Sequence, residues 1–255
     1  VSGRSTAALG VLGAVLAILA WGVVAELADK ASLVGPRDTL GAIVDLAGED
    51  DFWSSTLTTL VMAVRGLLAA TVVGVLVGLL IGSAPWAAMA LQVPVAFLRP
   101  IPPIVILPIV LLVMGPTQAM GETLIFYGCV LPIAVTTANG VRETDPVAIQ
   151  TARSFGLSRL QVLRRVTVPS TAAFVGTAVR ISLPHAFVIA VVAGYLGGAP
   201  GLGNDIVKSV VAGDSARLFA VVVVLGWMAL LVHEAGHLLE RRLLHWHTTY
   251  RSVAT

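Results

Sequence analysis

His233-Glu234-Ala235-Gly236-His237 sets two imidazoles four positions apart, with a carboxylate beside the first. On a helix that spacing places both rings on one face, where they could share a zinc ion while Glu234 activates water. A catalytic zinc needs a third protein ligand, and the nearest loop acids are Asp205 and Asp214. The same five residues also suit the end of an apolar helix meeting lipid headgroups, since Glu240-Arg241-Arg242 and His245-Trp246-His247 follow. Arg65, Arg180 and His185 form a second group, each set within an apolar run. An ionisable side chain is costly in such surroundings and calls for a reason. Arg65 and Arg180 either face a polar path and attract an anion, or sit in buried ion pairs. His185, beside Pro184, adds a donor to that path or packs at a helix kink.

These residues are embedded in an unusually apolar chain. Of 255 residues, 57% are apolar and 12% charged, and the mean hydropathy is +0.93. Soluble domains are about one-quarter charged, so water is not the main solvent. A bilayer core of about 30 Å takes roughly 20 apolar helical residues to cross. Runs of that kind are expected at about 7–28, 56–81, 101–113, 122–139, 171–196 and 217–239, the third short and proline-rich. The fold expected is therefore all-α: a polytopic membrane protein with six transmembrane helices in one domain. The first run exceeds the apolar core of a secretory signal and is read as a span. Cys129, the single cysteine, can form no intrachain disulfide and is read as a packing residue.

Between the first two spans lies an acidic loop, Asp29 to Trp53, with a short amphipathic helix around Leu40, Ile43, Val44 and Leu46. Six spans return the chain to the side where it began. The positive-inside rule puts Arg4, Arg142, Arg153, Arg159, Arg164, Arg165, Arg241, Arg242 and Arg251 in the cytoplasm, against Lys30, Arg37, Lys208 and Arg217 outside. Both termini are then cytoplasmic, and Arg99 lies near the cytoplasmic start of the third span. The net charge of +2 reflects topology rather than a basic stripe for nucleic acid. Asp205 and Asp214 fall on the membrane face opposite His233 and His237, which leaves the zinc reading, that of an intramembrane metalloprotease, without a reachable third ligand.

The longest cytoplasmic segment, Arg142 to Ser170, carries its own helix punctuation. Asp145 can cap a helix with Pro146 at its first position, and Gly156 ends it. Ser158 and Gln161 form a possible capping box for a second helix running to Pro169. The result is a helical elbow outside the bilayer, with Phe155, Leu157 and Leu160 beside several arginines, suited to docking on another protein.

Gln150-Thr151-Ala152, then Gly156, then Val166-Thr167-Val168-Pro169 resembles the Glu-Ala-Ala, Gly, Ile-x-Leu-Pro pattern of ATP-binding-cassette importer permeases, with the spacing kept throughout. Arg99-Pro100-Ile101-Pro102-Pro103, Leu107-Pro108 and Gly201-Leu202-Gly203 are similar to the branch carrying sulfonates, taurine and nitrate. The resemblance implies the type I importer permease fold in a bacterial plasma membrane. It implies a permease dimer, homo- or heteromeric, with two cytoplasmic ATPase subunits that hold ATP and magnesium, and an extracytoplasmic binding protein. It makes the elbow the coupling helix, with Gln150, Thr151, Ala152, Phe155, Gly156, Leu157, Arg159 and Pro169 meeting the ATPase, and puts Gly201 and Gly203 near the outer gate. It implies no cofactor in this chain. The residues agree that energy comes from elsewhere, since neither lysine, Lys30 or Lys208, follows a glycine as a phosphate-binding loop requires.

Overall fold

The computed structural model describes residues 3–28 and 33–243. Lys30, His245, Trp246, His247 and Arg251 lie outside the described residues, as does the side chain of Arg4. Every regular element among the described residues is helical. The first half holds α1 (Gly3–Leu27), α2 (Pro36–Ala47), α3 (Asp50–Ser83), α4 (Pro85–Leu98), α5 (Pro103–Met114) and α6 (Gln118–Arg142). The second half holds α7 (Pro146–Ser154), α8 (Arg159–Val162), a π-helical turn (Leu163–Thr167), α9 (Val168–Gly197), α10 (Leu202–Ala212) and α11 (Ser215–Leu243). Five long apolar stretches can cross a membrane, those of α1, α3, α6, α9 and α11, and α4 with α5, bent by 90°, has the geometry of a broken span or a re-entrant loop.

The third span is where the fold departs from expectation. It starts at Pro85 rather than near residue 101, and Arg99 sits in its break rather than at its start. Pro100, Pro102 and Pro103 cannot donate backbone hydrogen bonds, so one straight helix cannot continue through them. The carbonyls this strands need partners in a medium without water. At the break the Leu98 carbonyl accepts from the Ile101 N–H (3.2 Å), and Tyr127 of α6 ties the same stretch, its hydroxyl lying 3.0 Å from the Leu98 carbonyl and 3.3 Å from that of Ile101.

Small residues hold the bundle together. Gly66, Ala70, Gly74, Gly78 and Gly82 recur at every fourth position of α3, on one face. A methyl group added at Gly78 would come within 2.5 Å of the Ala134 carbonyl, and one at Gly74 within 2.8 Å of the Val130 carbonyl. The α3 and α6 backbones therefore nearly touch, the approach that small residues permit between helices in lipid. On this pair packs α9, whose Ala186, Ala190 and Ala193 join Met62, Met120 and Ile133 in the core.

At the end holding α2, the expected amphipathic helix spans Pro36–Ala47 and buries Leu46 against Phe52, Leu202 and Val221. α1 is exposed along its apolar length and is tied there, with Trp21 donating to the Val34 carbonyl (3.1 Å) and stacking on Phe219. Glu49, before α3, receives two bonds from Arg217 of α11, at 2.8 and 2.7 Å.

The Arg217 hydrogen bonds hold the Glu49 carboxyl below its usual range. A depressed folded value contributes stability that is complete above the unfolded value, about 4.3, and lost as pH falls through the folded one. The pair is partly exposed, so its effect is at most ~1 kcal/mol. Glu49→Gln should lower the melting temperature slightly near neutrality, with the difference from wild type closing in acid. Thermal unfolding in detergent checks it, and a gap unchanged down to about pH 3 contradicts the assignment.

Candidate functional site

The elbow is built from local signals. Asp145 accepts from the Val147 N–H at 2.8 Å, ahead of Pro146. α7 stops in a left-handed turn at Gly156 (φ +80°), where Gly156 N–H reaches Arg153 and Leu157 N–H reaches Ala152. Both final carbonyls are thereby satisfied. Ser158 and Gln161 form the reciprocal capping box.

Beyond this, the second arm differs from expectation. It is not a separate helix ending at Pro169 but a single turn, α8, that widens into the π-helical turn and continues into α9. Pro169 lies in the first turn of α9, where it lacks the N–H that an α-helix would direct at residue 165. Widening the preceding turn accommodates the ring, and the elbow thereby becomes continuous with a span.

At the tip, Phe155 is 81% exposed and Leu160 72%, while Leu157 is half-buried. Gln150, Thr151, Arg153 and Arg159 face outward and Ala152 is buried. The two departures from the Glu-Ala-Ala pattern therefore fall on the open side, and the retained alanine is the packed residue.

Arg180 and Arg65 each lie near a carboxylate, the first pair buried on its acidic side and the second largely exposed on its basic side. Arg180 meets Glu240 of α11 at 3.0 Å, and Glu240, 3% exposed, also accepts from the Thr177 hydroxyl at 2.8 Å. Of the two roles open to Arg180, the geometry shows an ion pair, at the edge of an otherwise apolar cavity of about 480 Å³ lined by Val75, Val179, Leu183 and Leu239. Arg65 lies 3.7 Å from Glu122, which also accepts from Gln118. His185 is exposed, its Nδ1 3.1 Å from the Ile181 carbonyl one turn back. The three residues do not converge on one site in this chain.

At the opposite end from the elbow, Gly201 (φ +127°) opens α10, a helix the sequence reading took for a turn. The Leu202 N–H donates to the Thr59 hydroxyl at 2.9 Å, and Gly203 lies against the α9 backbone at Val191. The apolar Leu202, Ile206 and Val210, at helical spacing, are the signal in the sequence that points to this helix.

The zinc alternative fails on geometry. His237 Nδ1 lies 3.4 Å from the Arg180 guanidinium, and the His233 and His237 rings pack edge to face. A dication there would adjoin a fixed positive charge. Asp205 is engaged by Lys208 and Asp214 caps α11, and no group of three side chains able to hold a metal occurs among the described residues.

Residues 70–245 match the family described as binding-protein-dependent transport system inner membrane component. The chain belongs to this family. The permease is 28% identical to the taurine transport system permease protein TauC of Escherichia coli, over 96% of this chain and 91% of that protein. It is 24% identical to a putative aliphatic sulfonates transport permease protein, SsuC, of Bacillus subtilis, over 94% and 88%. With the nitrate import permease protein NrtB of Leptolyngbya laminosa it shares 29% over 71% and 65%. Among solved structures, the inward-facing MetNI methionine ABC transporter superposes with a TM-score of 0.66 at 22% identity, over 75% of the permease and 95% of that chain. The fold is thus that of type I importer permeases, and the family is one of transport components, not enzymes.

Removing one partner of a buried ion pair strands the other charge at a cost of about 3–5 kcal/mol, whereas replacing both is often neutral. Arg180→Ala should therefore lower the melting temperature of the purified permease by several degrees, and Arg180→Met with Glu240→Leu should recover most of it. Unchanged unfolding of the single variant would remove the pair from the structural framework.

Proposed function

We propose that the permease forms the solute path of an ATP-driven importer for small anionic solutes, opening alternately to the two sides under the action of separate ATPase subunits. The observation that carries this reading is the elbow. Its tip exposes Phe155 and Leu160 at the end of a segment continuous with α9. A partner gripping that tip moves a helix that packs on α3, α6 and α11, so a push at the elbow reaches the middle of the bundle. Repacking between discrete arrangements of rigid elements is how transporters alternate access.

Membership of a binding-protein-dependent family supports the partners: ATPase subunits carrying ATP and magnesium, an extracytoplasmic binding protein, and a second permease, read here as another copy of this chain. The excess of arginines at the elbow end supports a cytoplasmic elbow and cytoplasmic termini in a bacterial inner membrane. Small anionic solutes are supported by the relatives, since sulfonates, taurine and nitrate all carry a compact oxyanion. In this reading Gln150, Thr151, Arg153 and Arg159 frame the ATPase contact, and Gly201 and Gly203 shape the outer end.

The partner contact is checked by co-expression with the ATPase. The wild-type permease should retain it through purification, and Phe155→Asp, which sets a charge in an apolar socket, should weaken retention roughly tenfold or more. A wild type that never retains the ATPase sinks the importer reading. For the solute, the reconstituted complex with its binding protein should hydrolyse ATP faster with a sulfonate, taurine or nitrate present, and no stimulation by any of them overturns the anion class.

A further inference from the structure

Three of the arginines on the spans have carboxylate partners: Arg65 with Glu122, Arg180 with Glu240 and Arg217 with Glu49. Among the described residues Arg99, in the break of the bent span, has none, and neither has Arg142 at the end of α6. Both line one groove of about 480 Å³ between α4 and α6, together with the side-chain amides of Gln92 and Asn139. Among the described residues, neither amide is spent on another group. The groove thus carries two full positive charges and two sets of amide donors, with no carboxylate on its walls.

We propose that this groove is a binding station for the anion on its way through the permease, with Arg99 and Arg142 holding the oxyanion and Gln92 and Asn139 orienting it. The inference rests on the importer reading and deepens it by naming residues that meet the solute. Arg142 lies at the elbow end of α6, on the cytoplasmic side in this reading. Gln92, Arg99, Asn139 and Arg142 are all exposed, so the groove is open to water and to a mobile anion that can supply the counter-charge. Transporter sites also form where a span is interrupted, because irregular backbone is tolerated only against protein or a water-filled cavity. Here Tyr127 reaches the Leu98 and Ile101 carbonyls of the break, and among the described residues the Arg99 guanidinium has no protein partner. Planar guanidinium groups match sulfonate, nitrate and phosphate oxygens equally, so an anionic lipid headgroup is the competing source of the same chemistry.

The test is protection from phenylglyoxal, an arginine-specific reagent, with peptide mass spectrometry reading each arginine of the full chain in nanodiscs of neutral phosphatidylcholine. Sodium ethanesulfonate is compared with sodium chloride at matched ionic strength. A ligand at several times its dissociation constant shields its site by 1 + [L]/Kd, so modification of Arg99 and Arg142 should slow roughly fivefold or more, with Arg164 unaffected. In the Arg142→Gln variant, protection of Arg99 should largely disappear. Equal rates with both salts, or protection given by phosphatidylglycerol in the disc and not by ethanesulfonate, overturns the station. The readout needs neither ATP nor an ATPase, so its failure leaves the importer reading standing, whereas failure to retain the ATPase removes that reading first.

Discussion

The close approach of α3 and α6 is the constraint on which the rest of the permease hangs. Lipid tails are as apolar as leucine, so burying apolar side chains gives no net drive for helices to associate within a bilayer. Contact then depends on how near two backbones can come. The fourfold recurrence from Gly66 to Gly82 clears one face of α3 of side chains, and Ile125, Ile133, Thr137 and Val141 of α6 settle against it. With that seam closed, a third surface exists for α9, where Phe174 covers Gly140 and Ala193 lies beside Gly121. The apolar cavity beside Arg180 and the groove between α4 and α6 are spaces bordered by α3 or α6, the two helices of this seam.

Polar groups in such a bundle are tolerated where a partner is built in. Glu240 has Arg180 and Thr177, Glu122 has Arg65 and Gln118, and the Leu98 and Ile101 carbonyls at the bend have Tyr127. The His233 to His237 segment belongs to the same pattern. Its resemblance to a metalloprotease helix is one of spacing alone, and the arginine beside His237 gives the segment a different electrostatic setting. Spacing places two ligands on a face, but what faces them decides whether a metal can stay.

In the proposed importer, motion and recognition meet in α9. It runs from the elbow, through the π-helical turn, to the left-handed Gly198 cap beside α10. From Arg159 onward no break separates the second arm of the elbow from the span, so a displacement there passes to the bundle through the widened turn. Pro184, which lacks an N–H, and the widened turn before Pro169 are where the hydrogen-bond ladder is thinnest, and so where such a helix bends most easily.

Much of this was legible in the residues themselves. Hydropathy marked six spans, and the elbow could be read almost bond by bond, since Asp145, Gly156, Ser158 and Gln161 act within one turn of the backbone they satisfy. The same reading also reached the family. What it missed is equally specific: Arg99 belongs to a break rather than a helix start, α10 is a helix rather than a turn, and the π-helical turn joins the elbow to α9. Nor did it name the partners of Arg65 and Arg180, which come from helices far along the chain. Caps and apolar runs are decided by neighbours in sequence, so they are written locally. Which charge meets which, and where a proline-rich run bends, depends on the faces that come together once the α3–α6 seam has closed, and only the tertiary structure decides that.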